Sequence, residues 1–169
     1  MLDIRTEGRH PTEMDGFLNF VAQQALKEAF SAGENGEIPV AAAVFIPEEK
    51  KIIAMASNRT EQDNDPTAHA EILAVREACR ILKAPRLPKC DIYVTLEPCP
   101  MCATAIAFAR IRRLYFGAYD VKGGAVEHGC RMFESQTNLK MPEIYGGIKE
   151  NDAALLLKNF FQNLRTAEK

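Results

Sequence analysis

Asp91-Ile92-Tyr93-Val94-Thr95-Leu96-Glu97-Pro98-Cys99-Pro100-Met101-Cys102 holds the end of one element and the start of another. Asp91 to Leu96 is a short apolar run, which predicts a buried strand. From Pro98 to about Ala109 the chain is almost wholly apolar and predicts a short helix. Upstream, a second helix is expected from about Ala68 to Leu82. Its basic residues Arg76, Arg80 and Lys83 fall on one narrow stripe. A helix with so little polar face lies against a sheet.

Further upstream, Pro39 to Ile46 and Lys51 to Ala56 read as two strands joined by a hairpin loop, Pro47 to Lys50. A polar loop, Ser57 to Pro66, leads into the Ala68 helix. From Glu13 the apolar residues Met14, Phe17, Leu18, Val21, Ala22, Ala25, Leu26 and Phe30 recur at helical spacing, and Ser31 to Gly36 closes that helix. Residues 1–12 carry no period and are expected to be a loose leader before a single domain, 13–169. Downstream, Leu114 to Ala118 is a strand and Asp120 to Met141 a loop with room for one short helix. Glu143 to Tyr145 offers one more strand. Asn151 to Arg165 is a terminal helix, with Leu155, Leu156, Phe160, Phe161 and Leu164 on one side. This order implies an α/β fold, a three-layer α/β/α sandwich with a mixed central sheet.

The composition excludes several classes. The chain has 169 residues, 47% apolar and 26% charged, enough for one soluble domain with its own core. Lys and Arg number 21 against 23 Asp and Glu, net −2, unlike a general nucleic-acid-coating protein. No apolar run approaches the roughly 20 residues of a membrane span. The N-terminal residues are charged and mixed, without a signal-peptide core. Five cysteines are an odd count and point to reduced thiols in the cytoplasm, as metal ligands or packed residues.

Two clusters carry chemistry. Thr67-Ala68-His69-Ala70-Glu71 opens one helix, and Glu97-Pro98-Cys99-Pro100-Met101-Cys102 opens the next. Helices packed in parallel on one sheet bring both N-termini to the edge beyond the strand C-termini, where open α/β sheets bind ligands. Cys99 and Cys102 are spaced to grip one ion, and His69 supplies a third donor of the kind zinc favours. Helix N-termini also lower thiol pKa values, and the thiolate binds metal. Three ligands leave a tetrahedral position open, as in catalytic zinc sites, and Glu71 is placed to move a proton there. Taken singly these residues have plainer readings: a redox pair or half a zinc knuckle, a capping His, a carboxylate facing a helix dipole. Together, H-x-E followed by P-C-x-x-C is the composite pattern of zinc deaminases of nucleobases.

With those residues in view, the chain from about Asp15 to Phe161 resembles the bacterial tRNA-specific adenosine deaminases of the cytidine-deaminase superfamily. The resemblance rests on Glu37-Ile38-Pro39-Val40, Asn58-Arg59, Asp65 through Ile72, Thr95-Leu96-Glu97-Pro98-Cys99 with Met101-Cys102, Phe116-Gly117-Ala118, and Asp120. It implies one zinc per subunit on His69, Cys99 and Cys102, with Glu71 as proton shuttle. It implies that Asn58 bonds the purine edge and that Val40 and Ala70 line the base pocket, the Ala70 N–H near the reacting atom. Asp120 and Lys122 would touch the ribose-phosphate of a tRNA anticodon stem-loop, and Phe160 and Phe161 would lie on a helix closing over it. The implied reaction is hydrolytic deamination of adenosine to inosine at the wobble position, in an arginine tRNA, by a cytoplasmic homodimer with no membrane association.

Ala41 stands where the family usually has Gly. His128 and Cys130 have no counterpart in the pattern and read as a loop His and a packed Cys. Cys79 and Cys90 read as packing residues. Two rivals remain. A deaminase of a free nucleobase or nucleoside (guanine, adenine, cytosine or cytidine) would share the zinc and Glu71 but need no basic surface, which Arg110, Arg112, Arg113, Lys122, Lys158 and Arg165 are the candidates to supply. An inert structural zinc module would close the fourth position with Cys90 or Cys130. The apolar helix from Ala103 to Ala109 is the candidate dimer surface.

Overall fold

The structure, a computed structural model, describes residues 16–134 and 140–167. β1 (Ala41–Ile46) is an interior strand of its sheet, buried along its whole length. The chain entering and opening this strand, Val40 to Ala43, is small or β-branched, so helices approach closely on both faces. β1 pairs antiparallel with β2 (Lys51–Ser57) on one side and with β3 (Asp91–Leu96) on the other. β4 (Arg113–Ala118) and β5 (Glu143–Tyr145) follow in parallel, giving the order β2-β1-β3-β4-β5. β1 therefore runs against the other four, and the sheet is mixed, as expected.

The twofold alternation of β1 divides the core. Val40, Ala42, Val44 and Ile46 join the layer that contains α3 (Ala70–Leu82) and α4 (Pro100–Phe108). Ala41, Ala43 and Phe45 join the layer of α1 (Gly16–Glu34). The terminal helix α5 (Glu150–Ala167) lies on that second face against β3, β4 and α1. The result is the α/β/α sandwich read from the sequence.

Three expectations shift in detail. α1 runs through Ser31-Ala32-Gly33 to Glu34, because Ala32 is still buried; Asn35 then closes it, its N–H donating to Ser31 and Ala32 carbonyls. The 57–66 loop contains a single helical turn, α2 (Thr60–Asp63). Along α5 the expected apolar face divides: Leu156 and Phe160 are half-buried, whereas Leu155, Phe161 and Leu164 are exposed. The cause is where α5 touches the sheet. A Cβ on Gly117 would stand 2.7 Å from the Thr95 carbonyl and 3.0 Å from the Ala153 Cβ, so the missing side chain lets α5 meet β4 closely at Ala153. Towards its other end, α5 borders a cavity of about 530 Å³ shared with Phe30 and Pro39. The expected leader, 1–12, and Met14 lie outside the described residues.

Because β2 and β3 point the same way, α3 and α4 both start at one edge of the sheet. The Thr95 hydroxyl accepts the Ala41 N–H (3.1 Å) at that edge and pins the start of β1 beside it.

Candidate active site

His69 and Cys99 are the N-cap residues of α3 and α4, and neither side chain closes its own helix. Both turn instead to a common point. His69 Nδ1 lies 3.7 Å from Cys99 Sγ and 3.6 Å from Cys102 Sγ, and all three donor atoms fall within 4.8 Å of one another. With Zn–N about 2.0 Å and Zn–S about 2.3 Å, a tetrahedral ion holds N and S about 3.6 Å apart, so the donor set fits zinc in chemistry and in spacing. Among the described residues, Cys90 and Cys130 do not belong to the cluster.

One of the two thiols, Cys99, is already drawn towards the thiolate form that binds metal. Cys99 is drawn down to about 5, chiefly by the Cys102 S–H that donates to it; burial opposes this, and the Cys102 and Met101 N–H groups and His69 assist. Cys102, as that donor and buried, is pushed up. Glu71 lies in the first turn of α3 and is 4% exposed. Burial pushes its carboxyl up to about 7 against its own backbone hydrogen bond, and negative charge at Cys99 adds to the push. A carboxyl poised near neutrality can both take and give a proton at working pH.

Asn58 is buried beside this group. Its backbone N–H donates to the Val40 carbonyl (3.0 Å), and its Oδ1 accepts the Ala70 N–H (2.9 Å). Asn58 thus caps α3 in place of His69 and keeps its Nδ2 donors for a ligand. The helical turn that follows it, α2, is held by Glu37, also buried, which accepts the Gln62 N–H (2.8 Å) and the Thr60 hydroxyl (3.2 Å).

Residues 19–165 match the family of MafB19-like deaminases. The tRNA-specific adenosine deaminase of Agrobacterium fabrum (strain C58) is 52% identical over 141 residues, 83% of this chain and 91% of that one. The tRNA-specific adenosine deaminase of Rickettsia bellii is 50% identical over 143 residues, 85% of this chain and 99% of that one. A solved structure from studies of A-to-I editing by tRNA:A34 deaminases at the wobble position of transfer RNA superposes with a TM-score of 0.79 at 51% identity, over 82% of this chain and 99% of that one. The chain belongs to the family of tRNA-specific adenosine deaminases.

The structure also places the other residues matched to that family's pattern. Val40 is buried at the start of β1, its carbonyl committed to Asn58. The Ala70 N–H, expected near the reacting atom, is taken by Asn58 Oδ1. Asp120 Oδ1 accepts the N–H groups of Lys122 (3.1 Å) and Gly123 (2.9 Å), so the carboxylate shapes its own turn and leaves Lys122 exposed. Phe160 and Phe161 form an edge-on pair at 5.4 Å, Phe160 towards Gly33 and Pro39, Phe161 outwards.

Two readings of the basic and sulfur residues are corrected. Arg112 bonds Asp91 (2.9 and 3.1 Å) and Glu48 (2.5 Å), and Arg113 bonds Glu143 (2.7 Å). Arg113 opens β4 and Asp91 opens β3, so these arginines sit at the sheet edge opposite the cluster and are paired there. Arg110 follows the far end of α4. Cys130 is exposed in the turn after Gly129 instead of packed, whereas Cys90 is buried and Cys79 half-buried, as expected.

Glu97 is the residue that sequence reasoning quoted without a role. It is 2% exposed, and both carboxylate oxygens are occupied by loop 120–128. An acid wedged between an apolar strand and an apolar helix was the available signal, since such a group is buried only when it is well bonded.

Proposed function

We propose that the protein deaminates adenosine to inosine by hydrolysis at the wobble position of a tRNA anticodon, in an arginine tRNA. The observation that carries this reading is a three-donor cluster with a buried carboxylate of near-neutral pKa beside it, in a chain at 50% identity or above to tRNA-specific adenosine deaminases. A zinc ion on His69, Cys99 and Cys102, one per subunit, would supply a nucleophile from water at neutral pH. Glu71 takes one proton of the attacking water and gives it to ring N1 as the oxygen adds at C6, then takes the second proton, from the hydroxyl now on C6, and gives it to the departing amine, so that ammonia leaves and the inosine carbonyl forms. Asn58 donates through Nδ2 to an acceptor on the purine edge, and Val40 and Ala70 form the pocket wall. The anticodon must splay this base out of its stack, at a cost of a few kcal/mol. Asp120 and Lys122 present the loop that meets the ribose-phosphate, and α5 sets Phe160 and Phe161 against the bound RNA.

Two chains are proposed to pair through α4. The helix is apolar all round, yet Phe108 is 65% exposed, with Met101 and Ala105 half-buried. Such a helix normally has cover on every side. A tRNA substrate and five free thiols fit the cytoplasm. Among the described residues no helix is long and apolar enough to cross a membrane.

One observation favours a free-base or nucleoside deaminase as second reading. With Arg112 and Arg113 paired at the far edge, exposed Lys122 and, on α5, Lys158 and Arg165 carry the basic surface. Incubating zinc-loaded protein with an arginine tRNA anticodon stem-loop, and separately with adenosine, adenine, guanine and cytidine, separates the two. Inosine at the wobble position is the expected product. Turnover confined to a free base or nucleoside would replace the tRNA reading with the second one.

A further inference from the structure

Loop 120–128 is built on one carboxylate. Glu97 Oε1 accepts the N–H groups of Val126 (3.2 Å), Glu127 (2.8 Å) and His128 (2.9 Å). Glu97 Oε2 accepts the Asp120 N–H (3.1 Å) and meets His128 Nδ1 at 2.8 Å. Five donors on one buried acid leave no oxygen lone pair for water, and charge-assisted bonds of this kind are the strong ones. The loop lies flat on the carboxylate because residue 124 has no side chain. A Cβ there would stand 2.6 Å from the Glu97 carboxyl carbon and 2.5 Å from the Asp120 carbonyl. The Ala125 N–H adds a bond to the Pro98 carbonyl (2.9 Å), one residue before Cys99.

The other groups around this acid point the same way. His128 is in edge contact with Tyr119, which fixes its ring, and its own N–H and Nδ1 both go to Glu97. Glu97 is therefore bonded at once to the turn that exposes Lys122 and, through the chain, to the first metal-donor cysteine.

We propose that Glu97, completed by His128, is a positioning residue: it holds the Asp120–Lys122 turn in fixed register with the α4 donor pair, so that an RNA backbone seated on the turn delivers its base to Glu71. The proposal rests on the tRNA reading above for the identity of the ligand. It assigns Glu97 and His128 a part in substrate placement with no contact to the reacting atoms.

The test uses full-length zinc-loaded protein and three variants, Glu97→Gln, His128→Ala and His128→Asn. Asn retains a donor near the Nδ1 position, so it serves as the conservative rescue. Metal content, amide exchange across 120–128, and kcat and KM on the anticodon stem-loop are read for each. Glu97→Gln should keep its zinc, lose protection at Asp120, Val126, Glu127 and His128 but not along β3 or α4, and raise KM about tenfold with kcat changed less than threefold. His128→Ala should move KM in the same direction by a smaller factor, and His128→Asn should restore it. Unchanged KM in both Glu97→Gln and His128→Ala, or zinc loss in His128→Ala, would overturn the proposal. Should Glu97→Gln fail to fold, the His128 pair decides by itself. If wild-type protein leaves the stem-loop unreacted, the tRNA reading fails. In that case preserved amide protection in the variants would still overturn the positioning role, and its loss confined to 120–128 would uphold it.

Discussion

At one end of β3 the buried carboxylate of Asp91 is gripped by Arg112 through two hydrogen bonds, with Glu48 closing the other side of the guanidinium. At the other end two carboxylates, Glu97 and Glu71, are buried without a Lys or Arg hydrogen-bonded to either among the described residues. The far end balances its charge with an opposite charge. At the near end, burial works against the charge of Glu97, but the His128 side chain and the N–H groups of His128, Asp120 and Glu127 outweigh it and hold the carboxyl below its usual range. Glu71 lacks such a set of donors, and its carboxyl rises to about 7. One residue type at similar exposure is a fastening in one setting and, in the proposed reaction, a proton carrier in the other, and the balance between burial and the donors and charges around it makes the difference.

The strongest blow to the near end is Cys99→Ala. Two donors bind metal poorly, so zinc content, activity and thermal stability should fall together, read by elemental analysis, inosine formation and a melting curve. Normal zinc in this variant would show that the donor set is wrong. Glu71→Gln should keep zinc and lose about 10²- to 10⁴-fold in kcat, since it removes a proton carrier and no ligand. Turnover within tenfold of wild type would erase the contrast drawn between Glu71 and Glu97.

Arg112→Met tests the far end. It strands the Asp91 carboxylate, and removing one partner of a buried pair costs about 3–5 kcal/mol. Denaturant unfolding should show that loss, while kcat/KM at a temperature where the variant is folded stays at the wild-type value. A changed kcat/KM would mean that the two ends are coupled. Asn58→Ala should lower kcat/KM on a purine substrate by the equivalent of about 1–3 kcal/mol with zinc retained, because a buried polar edge loses its donor. The smallest effect is expected from neutralising Lys122 and Arg165 together. Each phosphate of single-stranded RNA that is no longer neutralised flattens the log–log salt dependence by about 0.7, and a salt series of kcat/KM on the stem-loop reads the change.

What the sequence showed and what it hid divide along the same strand. Asp91–Leu96 and Glu143–Tyr145 were legible to the residue, because short apolar runs between turn signals have few other ways to fold. The cluster was legible because two helix starts on one sheet edge converge whatever the loops do. The ion pairs of Arg112 and Arg113 were hidden because their partners, Asp91 and Glu143, are distant in sequence. Pairing across a sheet leaves no local pattern. The division of the α5 face was hidden for a related reason. It depends on a missing Cβ at Gly117, on a strand the helix reaches only through the fold.

His69 and Cys99 stand 30 residues apart in the chain, on helices that follow β2 and β3, and those strands do not touch, because β1 lies between them. The donors can therefore meet only after three strands have assembled across that gap, which puts their convergence late on the folding route. Interactions that are absent from the folding transition state leave the rate of folding alone and slow the rate of unfolding. Whatever occupies the cluster should thus act as a lock on the finished fold rather than as a seed for it, lengthening the lifetime of the native state without hastening its arrival.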